Sequence, residues 1–482
     1  MSVSILDHRS SARPADRDAH RAHLLTRLRD ELSDGEVFTG DDDLDRVATD
    51  RSGHRLPGRP LALVRPWTTA GVAATLRLAS ATGTVVVPRG AGTGLSGGAS
   101  APDGSLVLST ERLNRILQID PADQVAVVQA GVVTADLDAA AAEHGLTYAP
   151  DPASWRQSTI GGNIATNAGG LHCVKYGVTR ESVLALTAVL ADGTVLPVGH
   201  RTIKGVAGFD LTGLFVGSEG TLGVVVEATV RLRPRPARTR TLAAWFPSAA
   251  AAAAGVLVAL AQGVTPSVLE LLDAGTLRAI DEGQGTDLAE YGSALLLVQT
   301  DGLGADAEIA ALAGALVDLG ADVDLPEGAE ADRYFELRRS GRVLDERLWF
   351  VGEDVAVPRS AMGPLLERIE RIGAAHGVST SVVAHAGDGN LHPAFTLPRV
   401  TGESEPPLAL ERAADDLVRA ALALGGTITG EHGVGITKRR WLEQELGAPV
   451  VDLQRRLKSV FDPAGVLNPH TWLAKEPSWP AS

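Results

Sequence analysis

The residues with the greatest capacity for chemistry lie in two short segments near the end of the chain. One segment runs from His385 to His392 (HAGDGNLH) and the other from Thr429 to Gly435 (TGEHGVG). Two imidazoles, His385 and His392, and the carboxylate of Glu431 are suitable ligands for a divalent metal with an open coordination position. The glycines around them predict that these ligands lie on small, bendable loops.

Two further side chains in these segments can act on a bound substrate. His432 follows the proposed ligand Glu431 directly and is available to move protons. Asn390, between the two histidines, can donate a hydrogen bond to substrate, although a role as a turn residue is an equal alternative. For the histidine cluster as a whole, the alternative is a set of ordinary polar loop residues.

Composition limits the class of protein and its partners. With 482 residues the chain is too long for one ordinary core, so two or three domains are expected. The net charge of -15 argues against nucleic acid or an anionic membrane as main partner. The single cysteine, Cys173, excludes an internal disulfide and fits a reducing compartment.

Residues 1–22 show no signal-peptide pattern, and the longest mostly apolar run, 249–261, is too short to span a membrane. A cytoplasmic location is therefore expected.

Apolar periodicity predicts an α+β chain with a helical tail. Prolines after a long strand mark a domain boundary near residue 236. The predicted division is an N-terminal helical extension (1–54), a middle domain (55–236) and a final domain (237–482). The predicted helices span 16–32, 69–81, 134–144, 248–261, 269–280, 305–319, 361–375 and 408–424. The predicted strands span 85–87, 125–128, 183–190, 195–198, 222–232, 242–246 and 294–299, with a hairpin at Asp192-Gly193.

The first half of the chain contains a glycine-rich segment from Pro88 to Gly98. Gly92, Gly94 and Gly97 have the spacing of a dinucleotide-binding fingerprint. That fingerprint must open a helix, whereas an apolar strand at 106–108 follows here, so the nicotinamide interpretation fails. What remains is a run of backbone N–H groups able to wrap a pyrophosphate.

Two more glycine-rich segments follow. Residues 150–154 lead to the segment 158–170, whose hydroxyls and amides suit a flat ring and a ribityl chain. The third segment, 215–223, runs into the last strand before the boundary. Tight turns would explain any one of these loops, but three in one half of the chain favour a phosphate-bearing cofactor.

The three glycine segments resemble the flavin-binding domain of the vanillyl-alcohol oxidase and p-cresol methylhydroxylase superfamily. The tail 462–469 (DPAGVLNP) is similar to its C-terminal signature. The two histidine segments and 175–179 (KYGVT) are similar to a branch that contains FAD-linked D-lactate dehydrogenases, glycolate oxidase flavoprotein subunits and D-2-hydroxyglutarate dehydrogenases. The resemblance covers about residues 55 to 472. It implies a two-part flavin-binding domain followed by an α+β substrate (cap) domain with a helical C-terminal tail.

The resemblance also implies FAD as hydride acceptor and a 2-hydroxy acid as donor. Covalent members tether flavin through histidine, cysteine or tyrosine, and 88–98 and 158–170 contain none of these. FAD is therefore expected to be non-covalent, with nearby His172, Cys173 and Tyr176 left as alternatives. The residues expected to bind FAD are Pro88, Arg89, Gly90, Ala91, Gly92, Thr93, Gly94, Ser96, Gly97, Pro150, Asp151, Ser154, Thr159, Gly161, Gly162, Asn163, Thr166, Asn167, Gly169, Glu219, Gly220, Gly223, Val224 and Asn468.

In the implied reaction, a metal on the His385, His392 and Glu431 set binds the substrate hydroxyl and one carboxylate oxygen, and His432 takes the proton. Zn²⁺ is the expected ion, with Mn²⁺ or Fe²⁺ as alternatives. The branch places an arginine on the substrate carboxylate, which assigns that role to Arg338. Arg339 and Arg342 are alternatives.

The expected substrate is a small monocarboxylic acid, D-lactate or glycolate. The D-2-hydroxyglutarate enzymes of the branch hold the distal carboxylate with a lysine, and Gly352 stands at that position. No lysine occurs between Arg338 and Pro358, although Arg342 or Arg347 can replace the charge.

Three competing interpretations stay open: a D-2-hydroxyglutarate dehydrogenase, a transferase like alkylglycerone-phosphate synthase, and a non-catalytic flavoprotein. The electron acceptor is also open among oxygen, a quinone, a cytochrome and an iron–sulfur partner subunit. Such a partner would bring the protein to the inner membrane peripherally. A homodimer is a further possibility.

Overall fold

The computed structural model describes residues 14–340, 345–400 and 405–474. The alternative substrate-binding residue Arg342 lies outside these ranges, and the side chain of Arg339 is also outside the description.

The first domain contains two main sheets and one small two-stranded sheet, joined by short helices. Its helices and strands, in chain order, are α1 (Pro14–Glu31), β1 (Val37–Phe38), α2 (Asp41–Val47), β2 (Ala62–Val64), α3 (Thr69–Thr82), β3 (Val86–Arg89), β4 (Leu106–Ser109), β5 (Ile116–Asp120), β6 (Val125–Gln129), α4 (Thr134–Ala142), β7 (Leu146–Thr147), α5 (Ile160–Thr166), α6 (Cys173–Tyr176), α7 (Thr179–Ser182), β8 (Val183–Val189), β9 (Val195–Gly199), α8 (Leu211–Phe215), β10 (Val224–Arg231) and β11 (Arg233–Pro234).

The two sheets form the two parts of the flavin-binding fold that the sequence predicts. One sheet has the order β1-β2-β4-β3, in which β2, β4 and β3 are parallel. The other is antiparallel, with the order β5-β6-β10-β8-β9. The predicted hairpin of β8 and β9 turns at Gly193, which has a φ of 84°. Strand β1 pairs with β2 and α1 packs on α3, so the predicted N-terminal extension is continuous with the first sheet.

The second domain is built on one large sheet. Its elements are β12 (Thr239–Phe246), α9 (Ala249–Ala261), β13 (Val268–Asp273), α10 (Ala274–Gln284), α11 (Leu288–Tyr291), β14 (Ala294–Asp301), α12 (Ala305–Asp318), β15 (Asp322–Asp324), α13 (Ala329–Ser340), β16 (Leu348–Gly352), β17 (Val355–Ala356), α14 (Met362–His376), β18 (Ser379–His385), β19 (Asn390–Pro398), α15 (Leu408–Ala423), α16 (Arg439–Leu446) and α17 (Ala448–Phe461). The strand order is β15-β12-β14-β13-β18-β19-β16, and β17 also pairs with β19. Helices α9, α12, α14 and α15 pack against the sheet or one another and enclose the main apolar core.

One predicted helix is wrong in its first half. Residues 269–280 were expected to be helical throughout, but β13 occupies their first part and α10 begins only at Ala274. Asp273 caps that helix, since its carboxylate accepts a hydrogen bond from the backbone N–H of Thr276 at 2.8 Å. Strand β13 is buried on both faces between β14 and β18, so it lacks the alternation that marks a half-exposed strand.

The C-terminal tail returns to the first domain. The N–H of Val86 donates to the carbonyl of Val466, and the N–H of Asn468 donates to the carbonyl of Val86, both at 2.8 Å. Val466 and Leu467 are fully buried in the core of the first sheet. Across the three described ranges, no helix is long and apolar enough to cross a bilayer.

Candidate active site

A cavity of about 320 Å³ lies where the two domains meet. The glycine-rich segments form the first-domain wall of the cavity. At two positions the neighbouring atoms are so close that only glycine fits. A Cβ on Gly90 would lie 2.5 Å from Oγ1 of Thr159, and one on Gly161 would lie 2.6 Å from the Cβ of Ala130. Backbone amides and small side chains therefore form a wall that fits a pyrophosphate and a flat ring.

The second glycine segment is partly helical, whereas the sequence indicated a loop. Thr159 begins α5 by accepting a hydrogen bond on Oγ1 from the N–H of Gly162 at 3.3 Å. Asn167 ends the helix with a φ of 51°. The small residues that suggested a loop are thus the first turns of a short capped helix.

Most of the predicted cofactor-binding residues line this cavity. Four do not lie on its wall: Gly97, Pro150, Asn167 and Asn468. Sequence reasoning missed other lining residues, and those outside the glycine segments gave no motif signal. The missed residues include Asp50, Arg51, Thr110, Pro152, Ala153, Ala165, Leu171, Ser218, Val225 and Val383.

The second-domain wall carries the predicted metal ligands. His385 is the last residue of β18 and His392 lies on the paired strand β19, so these two are held on a hairpin and not on bendable loops. The loop after α15 supplies Glu431. Its Oε1 lies 3.2 Å from Nε2 of His392 and 3.5 Å from Nε2 of His385. The three side chains therefore converge on one point at the cavity wall.

Glu270, on β13, was missed and fixes the orientation of His385. Its Oε1 lies 2.7 Å from Nδ1 of His385, while its Oε2 accepts a hydrogen bond from Nε of Arg338 at 2.6 Å. Nδ1 of His385 therefore faces Glu270, and Nε2 faces Glu431. Burial lowers the pKa of His385, but the carboxylates of Glu270 and Glu431 outweigh it and raise the pKa to about 10. The two carboxylates thus favour a positive charge at this point.

Asp354 was also missed, and it organises the loop that carries Glu431 and His432. This fully buried carboxylate accepts hydrogen bonds on Oδ2 from the backbone N–H groups of Gly430, Glu431 and His432 at 2.9 to 3.1 Å. The Thr429 hydroxyl donates to the same oxygen at 2.7 Å. Because Oδ2 accepts these four hydrogen bonds, Asp354 fixes the backbone of the loop from Thr429 to His432. The ammonium of Lys438, whose Nζ lies 3.5 Å from Oδ2 of Asp354, argues against a second possible cation set of Asp354, His392 and His432.

The side chain of Asn390 makes its hydrogen bonds within the protein. Its Nδ2 donates to Oδ1 of Asp354 at 2.6 Å and to the carbonyl of Val355 at 3.2 Å. The amide donor is therefore committed to protein groups and is not directed at a substrate. Asn390 supports Asp354, which is closer to the structural alternative considered for it.

His432 lines the cavity beside the cluster. Its ring stacks on that of His392, with the centroids 5.1 Å apart and an angle of 17° between the planes. Burial lowers the pKa of His432 to about 4, although Asp354 acts in the opposite direction. The imidazole is therefore neutral at pH 7.

A cavity lined by glycine segments on one side and by a titratable cluster on the other defines an enzyme that uses a bound organic cofactor. A family model described as FAD binding domain matches residues 60–199, and one described as FAD linked oxidases, C-terminal domain, matches residues 235–471. The chain belongs to this family of FAD-linked oxidases.

Relatives and solved structures agree with that assignment. Glycolate oxidase subunit GlcD of Bacillus subtilis (strain 168) is 41% identical, over 86% of this chain and 90% of the relative. The D-lactate dehydrogenase of Archaeoglobus fulgidus is 36% identical, over 84% of this chain and 90% of the relative. The crystal structure of p-cresol methylhydroxylase with substrate bound matches with a TM-score of 0.78 at 15% identity. The match covers 95% of this chain and 97% of that one. The protein is thus an FAD-linked oxidoreductase with the fold of p-cresol methylhydroxylase.

Proposed function

We propose that the protein oxidises a small D-2-hydroxy acid, D-lactate or glycolate, to the 2-oxo acid, with a divalent metal held by His385, His392 and Glu431. The observation that carries the proposal is that these three side chains, His432 and Arg338 line the same cavity as the flavin-binding segments. Relatives named glycolate oxidase subunit GlcD and D-lactate dehydrogenase support the substrate class.

The donor set fits a divalent metal. Two imidazole Nε2 atoms and one carboxylate oxygen lie within 4.8 Å of one another, and Glu270 orients the first imidazole from behind. Such a set suits Zn²⁺ and also accepts Mn²⁺ or Fe²⁺. When bound, the metal would supply Lewis acidity that lowers the pKa of a substrate hydroxyl, and FAD would supply the hydride acceptor.

The chain's own residues supply binding and proton transfer. Arg338 pairs with Glu270 through Nε and one terminal nitrogen, lines the cavity and would bind the substrate carboxylate. His432, neutral and beside the cluster, would accept the hydroxyl proton on a ring nitrogen. The walls from both domains would exclude water from the reacting carbon.

Anaerobic reduction of the flavin tests the proposal directly. The purified protein is mixed under nitrogen with a panel of D- and L-2-hydroxy acids while the flavin absorbance is recorded. Bleaching by D-lactate or glycolate, with weaker or no bleaching by L-lactate, is expected. A flavin that stays oxidised with every acid would contradict the proposal and favour the transferase alternative.

We also expect FAD to be released intact by acid precipitation. Among the described residues, the three candidate tethers His172, Cys173 and Tyr176 are not on the cavity wall. The Tyr176 hydroxyl is engaged with Asp301 at 2.6 Å, and Nδ1 of His172 lies 2.8 Å from Asp151. Yellow colour should therefore appear in the supernatant, whereas colour that stays with the pellet would show a covalent bond.

A preference for monocarboxylates is expected from the cations on the cavity wall. In the described part of the chain these are Arg51 and Arg89 on the flavin side and Arg338 on the substrate side. Arg347, one alternative for a distal carboxylate, is 88% exposed and paired with Asp345. We expect kcat/KM for D-lactate or glycolate to exceed that for D-2-hydroxyglutarate at least tenfold, about 1.4 kcal/mol in transition-state energy.

The Arg347→Met variant provides the control for this preference. It should leave the ratio of kcat/KM values between D-lactate and D-2-hydroxyglutarate unchanged. A tenfold preference of the wild-type protein for the dicarboxylate would mean that a second cation binds the distal carboxylate, and loss of that preference in Arg347→Met would identify it.

A further inference from the structure

Ser96 and Glu219 of the first domain and Asn468 of the C-terminal tail, all predicted from sequence to bind FAD, also make hydrogen bonds to the second-domain loop that follows His432 or to one another. Oε1 of Glu219 accepts a hydrogen bond from the N–H of Val434 at 2.8 Å, and its Oε2 accepts one from the N–H of Gly435 at 2.9 Å. Both carboxylate oxygens of Glu219 are thus committed to backbone donors of the other domain.

Ser96 holds the same loop from a second direction. Its hydroxyl lies 3.0 Å from the carbonyl of His432 and 2.9 Å from that of Gly433. Its own carbonyl accepts the N–H of Ile436 at 2.8 Å. The approach is so close that a Cβ on Gly435 would lie 2.0 Å from the Ser96 carbonyl oxygen, which only glycine permits.

Asn468 joins the two first-domain segments that carry these contacts. Its Nδ2 donates to the carbonyl of Gly98 at 2.7 Å and to the carbonyl of Glu219 at 2.9 Å. The side chain is 3% exposed and does not reach the cavity wall. The backbone of His432 is therefore held by Asp354 of its own domain through its N–H and by Ser96 of the flavin-binding domain through its carbonyl.

We infer that Glu219 is a positioning residue for substrate oxidation: with Ser96 it locks the His432 loop of the second domain onto the flavin-binding segments of the first. The inference rests on the proposed function, in which His432 accepts the substrate proton. A hydride donor must be held close to the flavin, and a displacement of about 1 Å can cost about a hundredfold in rate. A carboxylate suits the task because it offers two acceptors to two N–H groups, whereas an amide offers only one.

The test compares Glu219→Gln with a matched control, Glu367→Gln, whose carboxylate lies on the surface beside Arg371. Hydrogen exchange is measured by mass spectrometry for peptides covering 431–437 and 379–398, with FAD bound and after its removal. In Glu219→Gln we expect at least tenfold faster exchange in 431–437 and no change in 379–398. The control should match the wild-type protein in both peptides.

Stopped-flow reduction of the flavin by D-lactate or glycolate gives the second readout. The limiting rate constant of reduction should fall about 10- to 100-fold in Glu219→Gln, while the substrate dissociation constant changes less than threefold and FAD and metal contents stay at wild-type levels. Ser96→Ala, which removes one hydroxyl, should show the same pattern with a smaller loss, and it replaces Glu219→Gln if that variant does not fold.

Two results would overturn the inference. One is wild-type exchange and wild-type reduction in both variants. The other is loss of FAD from Glu219→Gln with unchanged exchange in 431–437, which would make Glu219 a cofactor-binding residue. If no hydroxy acid reduces the wild-type flavin, the proposed function fails, but the exchange experiment still decides whether Glu219 locks the loop.

Discussion

Replacement of His392 by alanine is expected to remove the divalent metal and to lower the rate of flavin reduction by about 10³-fold or more, since Lewis-acid stabilisation by a metal is worth several kcal/mol. His392 supplies one of two imidazoles, and its Nε2 lies 3.2 Å from Glu431. FAD should stay bound, because the flavin-binding segments belong to the first domain. Metal analysis measures the bound metal, flavin absorbance measures the bound FAD, and anaerobic mixing with D-lactate measures the rate of flavin reduction.

A chelator applied to the wild-type protein should reproduce this loss, and added Zn²⁺ or Mn²⁺ should reverse it. His376→Ala is the matched control, because His376 pairs with Asp416 on the surface of the second domain and takes no part in the cavity wall. An active wild-type enzyme without a stoichiometric divalent ion would show that the assignment of His385, His392 and Glu431 as ligands is wrong.

Replacement of His432 by alanine is expected to give a different phenotype, with the metal retained. Loss of a general base typically costs about 10²- to 10⁴-fold in rate, and the cost should fall on the reductive half-reaction. Burial lowers the pKa of His432 to about 4, so the ring is neutral at pH 7 before substrate binds. Stopped-flow reduction at saturating D-lactate or glycolate, together with metal and FAD contents, checks the prediction.

The comparison of His432→Ala with His392→Ala separates the two roles. Reoxidation of the reduced flavin by an artificial acceptor should proceed at the wild-type rate in His432→Ala. If His432→Ala also lost its metal, His432 would have to be counted among the ligands or their supports. A wild-type rate of reduction would remove it from proton transfer altogether.

Local sequence signals predicted much of the fold. Thr68 and Gly83 bound α3, which agrees with the helix predicted at 69–81, and the Asp192-Gly193 turn joins the predicted hairpin. Patterns of this kind act over a few residues, so they can be recognised without knowledge of the tertiary structure. The family resemblance supplied the two-part first domain, which periodicity alone does not define.

The supports of the site could not be predicted because they are distant in sequence and carry no motif. Glu270 lies on a strand that was taken for a helix, and its partner His385 is 115 residues further on. Asp354 reaches Glu431 and His432 through backbone N–H groups, which a sequence does not distinguish. The hydrogen bond from Asn390 to Asp354 escaped sequence reasoning for the same reason, because the two residues are 36 positions apart.

The return of residues 466–468 to the first sheet determines when that domain can be completed during synthesis. Strand β3 stands at the edge of its sheet, and its free side is covered by a bridge between Val86 and Leu467. While the ribosome is still making the second domain, that edge and the space filled by Val466 and Leu467 stay open to water. The first domain, although it is synthesised first, therefore completes its folding only when residues 466–468 are available. A nascent chain should bind FAD firmly only after these residues have left the ribosome.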